Sequence, residues 1–211
     1  MSGLILVFDL DETLVDRGNF YKELQLEQPD INLLNLNLIN NVIGPAVELR
    51  EQKRGVDAIV ILTNNSFARY IDKVCNLICK YLKKDEGTVF DKVVTGNRGE
   101  HKKKSLEEIK AMGIEYGDDA SLCKRIYFFD DSNTHILIRE LSENGYPKHY
   151  IQIKTTAENK TYGFLKGNTD NTDYTDITEE LTKLSSSGGR RRTRRRKIKR
   201  SKRSKYSRRY R

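Results

Sequence analysis

Two aspartates, Asp9 and Asp11, stand two residues apart directly after the apolar run Leu4–Phe8, in the segment LILVFDLDETLV. At the end of a buried strand, that spacing can aim both carboxylates into one crevice. A carboxylate can attack phosphorus and form an acyl phosphate, splitting one hard displacement into two easier ones. A second carboxylate beside it can protonate the leaving group, then deprotonate the attacking water. Carboxylates crowded against a phosphate need a divalent cation. Mg²⁺ suits this, since it binds through one or two carboxylates plus substrate oxygen and water. Thr13 lies two residues further on. Thr63 follows a second apolar run and offers a hydroxyl, with nearby backbone N–H groups, to phosphoryl oxygens. Lys102, Lys103 and Lys104 precede a helical pattern, where a cation and a helix N-terminus together favour an anion. Asp130 and Asp131 follow a further apolar run, and one of them can complete a metal shell.

The elements that must position these groups can be read from the apolar pattern. Leu4–Phe8 and Ala58–Leu62 are continuous apolar runs, as expected of parallel strands covered on both faces. Phe90–Val94, Ile126–Phe129 and Tyr150–Ile153 read as three more strands. Helices are expected from Pro45 to about Lys53, from Ser66 to Lys83, from Ser105 to Met112 and from Thr134 to Leu141. Pro45 suits a first helical turn and Gly55 a stop. Strands alternating with helices imply a parallel sheet with helices on both faces, a Rossmann-like three-layer α/β/α fold. Chemistry in such sheets gathers at the carboxyl ends of the strands, where the candidate residues fall. The core is expected to span 1–155, followed by a polar extension at 156–184. Residues 185–211 are expected to form a Ser/Gly hinge and a disordered basic tail.

With these residues in order, the chain resembles the haloacid dehalogenase (HAD) superfamily of phosphatases and phosphotransferases. Asp9-Leu10-Asp11-Glu12-Thr13 matches the first motif of that family, Thr63 in ILTNN the second, a lysine before a helix the third, and Asp130-Asp131 in YFFDDSN the fourth. The resemblance covers about residues 4–153. It implies that Asp9 is the nucleophile and a Mg²⁺ ligand. Asp11 would be the general acid/base, with its backbone carbonyl on the metal. Thr63, helped by the Asn64 N–H, would hold the phosphoryl group. Asp131 would bind Mg²⁺ through water while Asp130 orients the lysine. Spacing similar to that of family members favours Lys102 as that lysine, with Lys104 the alternative and Lys103 third. The second aspartate favours phosphate ester hydrolysis, because family dehalogenases lack it. DLDETL and FFDD resemble the small protein-phosphatase-like branches, whereas TNN is similar to small-molecule and polynucleotide phosphatases, so the subfamily stays open. About 30 residues separate Thr13 from Pro45. That leaves room for a short flap at 16–41 but no full cap domain, as in small uncapped members. An open site would admit a phosphoprotein or a nucleic-acid end.

Charge divides the chain unevenly. Of its 39 Lys and Arg residues, 15 lie in 190–211, leaving 24 against 30 acidic residues in 1–189. A run so basic is expected to bind a polyanion or nucleic acid, or to serve as a nuclear localisation or packaging signal. The Ser-Gly-Gly junction and Arg/Lys tail resemble the termini of large DNA virus proteins, which implies a nuclear or virion location. A second reading is therefore a nucleic-acid-binding or virion-associated protein built on an inactive HAD scaffold. Three cysteines, Cys75, Cys79 and Cys123, are too sparse for a disulfide framework and point to a reducing, intracellular compartment. They read as small core hydrophobes. No apolar run reaches the ~20 residues that span a bilayer, and the apolar start lacks the basic leader of a signal peptide. His101, His135 and His149 read as surface or structural residues.

Overall fold

The computed structural model describes residues 3–95, 104–154 and 172–187. Five parallel strands form one sheet: β1 (Leu4–Phe8), β2 (Val56–Thr63), β3 (Lys92–Thr95), β4 (Ile126–Asp130) and β5 (Tyr150–Gln152). Their order is β3-β2-β1-β4-β5. β1 is central, in register with β2 on one side (Phe8 beside Ile61) and β4 on the other (Phe8 beside Phe129). The three inner strands are almost wholly buried, which explains their continuous apolar runs. The strand expected at Phe90–Val94 begins two residues later.

The side chains of each inner strand divide between two cores. Leu6, Phe8, Ile59, Ile61 and Phe129 pack under α1 (Arg17–Glu23), α2 (Leu36–Leu38), α3 (Gly44–Glu51) and α4 (Ala68–Tyr81). Ile5, Val7, Val60, Leu62 and Phe128 pack under α5 (Leu106–Lys110), α6 (Asp119–Cys123) and α7 (Ile136–Glu143). The molecule is thus the three-layer α/β/α sandwich the pattern implied. Phe8 and Phe129 stack at 4.6 Å across the β1–β4 pair.

Two stretches differ from the sequence reading. Much of 16–41 is core rather than flap: Phe20, Leu33, Leu34, Leu38 and Ile39 are buried. Pro45 stands in the first turn of α3, as expected, but α3 does not start from a loop. It follows α2 and a π-turn, Ile39–Ile43, in one helical run. Proline lacks an N–H and its ring crowds the preceding turn. The widened turn, closed by the Gly44 N–H donating to the Ile39 carbonyl, makes the room. No cap domain is present among the described residues. The second difference is in the polar extension, where 175–187 form a helix, α8, that includes the serines expected to begin the hinge. Ile177 and Leu181, with Tyr174 just before them, are buried in the first core. Each such side chain contributes about 1.5–3 kcal/mol. Leu184 lies against Gly55, whose φ of 74° also requires glycine. The tail from 188 onward lies outside the described residues. No helix among those described is long and apolar enough to cross a membrane.

Cys79 and Cys123 are buried and Cys75 half-buried, all as free thiols. Burial pushes Cys75 up to about 12 and Cys123 to about 11, which disfavours the reactive thiolate at both.

Candidate active site

Strand order reverses at β1: β2 and β3 lie on one side, β4 and β5 on the other. Parallel α/β sheets open a crevice at such a switch point, at the carboxyl ends of the strands. Asp9 emerges there from β1, and its N–H donates to the Phe129 carbonyl at 2.9 Å. Asp130 is the last residue of β4 and fully buried. The chain turns sharply after Asp9. Leu14 N–H returns to the Leu10 carbonyl at 2.9 Å, and Glu12 takes a left-handed φ of 57°. That turn buries Thr13, whose Oγ1 accepts from the Asp131 N–H at 3.1 Å. Thr13 thereby ties the loop after β1 to the loop after β4.

The lysine placed at the carboxylates is Lys104. Its Nζ lies 2.7 Å from Asp9 Oδ1 and 2.5 Å from Asp130 Oδ2, and the side chain is buried. Lys102, favoured by spacing, and Lys103 lie outside the described residues. The physical reason is the helix start. Ser105 is the N-cap of α5, so Lys104 sits in extended chain just ahead of it. Its carbonyl accepts from Leu137 N–H at 2.8 Å, which anchors it to α7. The helix expected from Ser105 already sets Lys104 beside the cap, and it is the family-like spacing that points to Lys102.

Electrostatics here are governed by burial and shared charge. Burial pushes Asp9 up to about 7, against the pull of Lys104 and with a further push from Asp130. One ammonium shared with Asp130 does not offset that burial. Burial alone would lower Lys104, but Asp9 and Asp130 outweigh it and hold the ammonium above its ordinary value. Burial alone would raise Asp130, yet hydrogen bonding by His135, whose Nε2 is 3.4 Å away, and the Lys104 ammonium bring it below the usual range. Asp131 is raised by burial and by neighbouring Asp130.

Asp9, Asp130 and Asp131 each offer an oxygen within 4.8 Å of the others. Asp130 is already engaged twice, by Lys104 at Oδ2 and by the Ser132 N–H at Oδ1 (2.8 Å). Asp9 and the exposed Asp131 are therefore the freer ligands. Three carboxylates against one ammonium leave two negative charges in excess when all are ionised. A hard divalent cation fits such an all-oxygen set. The Asp11 carboxylate is not in this cluster.

Asp11 instead faces the end of β2. Its Oδ1 accepts from the Tyr70 hydroxyl at 2.7 Å, and its Oδ2 from Asn65 Nδ2 at 3.1 Å. The exposed Arg17 guanidinium is 3.7 Å from Oδ2. Thr63 is buried at the strand end, and its Oγ1 accepts from the Asn65 N–H at 3.1 Å. Asn64 is exposed between them. The structure thus gathers the buried Asp9, Asp130 and Lys104 and the exposed Asp131 into one cluster. It sets Asp11 and Thr63 on the Asn65 side. The sequence reading missed Asn65, Tyr70 and His135. Asn65 stood within ILTNN but was given no role, whereas Tyr70 carried no signal of a polar site.

No protein-family model and no curated protein matches the chain. Among solved structures it is similar to a HAD-superfamily hydrolase from Ehrlichia chaffeensis, with 17% identity, 87% of this chain and 98% of that one covered, and a TM-score of 0.41. It is also similar to a haloacid dehalogenase-like family hydrolase from Streptococcus pneumoniae, with 17% identity, 72% and 94% covered, and a TM-score of 0.30. Scores this low leave the strand order and the side-chain geometry to carry the functional argument.

Proposed function

We propose that this chain is a Mg²⁺-dependent phosphomonoester hydrolase that works through an aspartyl phosphate on Asp9. The observation that carries the reading is the Asp9 carboxylate, buried at the switch point with Lys104 Nζ at 2.7 Å and two further carboxylates beside it. Asp9 and Asp131 would hold the cation, which would offset the excess negative charge and draw electron density from the phosphoryl group. Asp9 attacks phosphorus, and the bond to the leaving oxygen breaks as Asp11 gives that oxygen a proton. Water then attacks the acyl phosphate and gives a proton to Asp11, and the Asp9–phosphorus bond breaks. The Thr63 hydroxyl, the Asn64 N–H and the Lys104 ammonium bind the phosphoryl oxygens. Lys104 is pre-oriented by Asp130. The exposure of Asn64 and Asp131 favours substrates whose phosphate sits at the end of a bulky chain, a phosphoprotein or a nucleic-acid end.

The test is phosphate release from p-nitrophenyl phosphate in Mg²⁺ and in EDTA, with Asp9→Asn as control. Activity should require the metal and vanish in the variant. Release that persists in Asp9→Asn, or none from wild type on any phosphate monoester, would overturn the proposal.

The 15 basic residues of 190–211 favour a second role, delivery of the catalytic domain to nucleic acid. Truncation after Ser187, the last described residue of α8, should abolish salt-sensitive oligonucleotide binding while sparing p-nitrophenyl phosphate hydrolysis. Binding that survives truncation would remove the tail from the account.

A further inference from the structure

Both oxygens of Asp11 accept from neutral donors, Tyr70 and Asn65, with the exposed Arg17 guanidinium 3.7 Å from Oδ2. Tyr70 reaches Asp11 from the first turn of α4. Its ring is fully buried, edge-on to Phe20 at 5.4 Å and stacked on Tyr21 at 4.5 Å. Packed on both sides, the ring fixes the hydroxyl 2.7 Å from Asp11 Oδ1. Asn65 is equally constrained. Its backbone N–H is on Thr63 Oγ1 at 3.1 Å, and its side-chain oxygen accepts from the Phe67 N–H at 2.9 Å. That second bond fixes which way the amide faces and turns Nδ2 toward Asp11 Oδ2, at 3.1 Å. Nδ2 also lies 3.3 Å from the Tyr21 hydroxyl.

An aspartate has two side-chain torsions, and a carboxylate at a crevice mouth has no reason to hold one direction unless something grips it. Here both oxygens are gripped, at two separate places in the chain. We infer that Tyr70 and Asn65 are positioning residues that aim the Asp11 carboxyl at the leaving oxygen. Neither touches the phosphoryl group; each acts through Asp11. The inference rests on Asp11 being the acid of the proposed hydrolysis. In that step the Asp9–phosphorus bond forms, the phosphorus–leaving-oxygen bond breaks, and the Asp11 proton passes to the departing oxygen. An acid out of place is felt in proportion to how much the leaving group needs the proton. A nitrophenolate leaves as a stable anion, whereas a methoxyphenolate does not.

The test is kcat/KM, which reports steps through transfer to Asp9, over aryl phosphates of graded leaving-group acidity: p-nitrophenyl, phenyl and p-methoxyphenyl. Wild type, Asp11→Asn, Tyr70→Phe and Asn65→Ala are compared in saturating Mg²⁺. Positioned general acids contribute about 10²–10⁴-fold, and small misplacements cost up to about 10²-fold. Tyr70→Phe and Asn65→Ala should therefore lose about 10–100-fold on p-methoxyphenyl phosphate and about threefold or less on p-nitrophenyl phosphate. The inhibition constant for inorganic phosphate should not change. Tyr70→Phe keeps both ring contacts; if it fails to fold, Asn65→Ala, in a half-buried loop, decides alone. Losses equal across the series, or no loss, in a folded variant would overturn the inference while Asp11→Asn still steepens the leaving-group dependence. A flat response in Asp11→Asn, or an inactive wild type, would instead refute the parent mechanism.

Discussion

Asp9→Asn should abolish catalysis yet stabilise the metal-free protein. An ordinary aspartate ionises near 3.8, whereas burial pushes Asp9 up to about 7. The sign follows from proton counting. Between those values the folded chain holds a proton that the unfolded chain has released, so stability falls as pH rises through that window. At about 1.4 kcal/mol per pKa unit, the loss above pH 7 is on the order of 4 kcal/mol. Asparagine does not ionise and escapes it. The new amide must find an acceptor where a carboxyl stood, at a cost of about 1–2 kcal/mol. The net gain at pH 8 is about 2–3 kcal/mol, or about 4–12 °C in Tm for a domain of this size. The assay is thermal unfolding in EDTA from pH 4 to pH 8. At pH 4 the variant should melt below wild type by the amide's cost of about 1–2 kcal/mol; the difference should then reverse, widen in the variant's favour to about pH 7 and level off. Adding Mg²⁺ at about 100 times its Kd should return about 2.7 kcal/mol to wild type alone. A variant that melts at or below wild type at pH 8 in EDTA, or a gap that does not grow with pH, would refute the claim that Asp9 is held against its own burial.

Lys104→Met should lower Tm by about 6–20 °C, because it leaves Asp9 and Asp130 without their buried cation, a loss of about 3–5 kcal/mol. Calorimetry measures it, and a drop under 3 °C would contradict the geometry. Arg125→Met should destabilise as strongly without touching Asp9-dependent turnover. Arg125 joins the Gly3 carbonyl (2.9 Å), the Glu115 carbonyl (2.5 Å) and Asp57 (2.7 Å), away from the cluster around Asp9. Specific activity per folded molecule separates the two effects. His149, stacked on Tyr127 at 4.2 Å, is lowered by burial, against the pull of the Cys123 and Ile126 backbone. Its contribution is complete above pH 6.5 and lost as pH falls through its depressed folded value. His149→Phe, which keeps the stack but does not titrate, should therefore close its Tm deficit relative to wild type between pH 7 and pH 5.

What could be read in the chain before its structure was whatever is encoded within a few residues. Asp9 and Asp11 announce themselves because LILVF must be a buried strand and a strand end fixes where the next two side chains can go. Thr63 and Asp130 follow by the same logic, and the alternation of elements forces the parallel sheet that makes their ends converge. Lys104 was half legible. Its type and neighbourhood were plain, and a helix starting at Ser105 sets Lys104 beside the cap, but the family-like spacing pointed to Lys102 instead. Residues 16–41 read as a short flap because their length leaves no room for a cap domain, whereas Phe20, Leu33, Leu34, Leu38 and Ile39 pack into the core and the π-turn Ile39–Ile43 leads into α3. Tyr70 was illegible for a deeper reason. On α4 it occupies a core-facing position beside Ile71 and Val74, where an aromatic side chain needs no explanation. Only when α1 brings Tyr21 against its ring, and the loop after β1 brings Asp11 to its hydroxyl, does a core tyrosine become part of a polar site. Residues that do chemistry directly sit at strand ends and can be found by their type. Residues that hold those groups in place are made by packing between distant segments, and for them the fold itself is the motif.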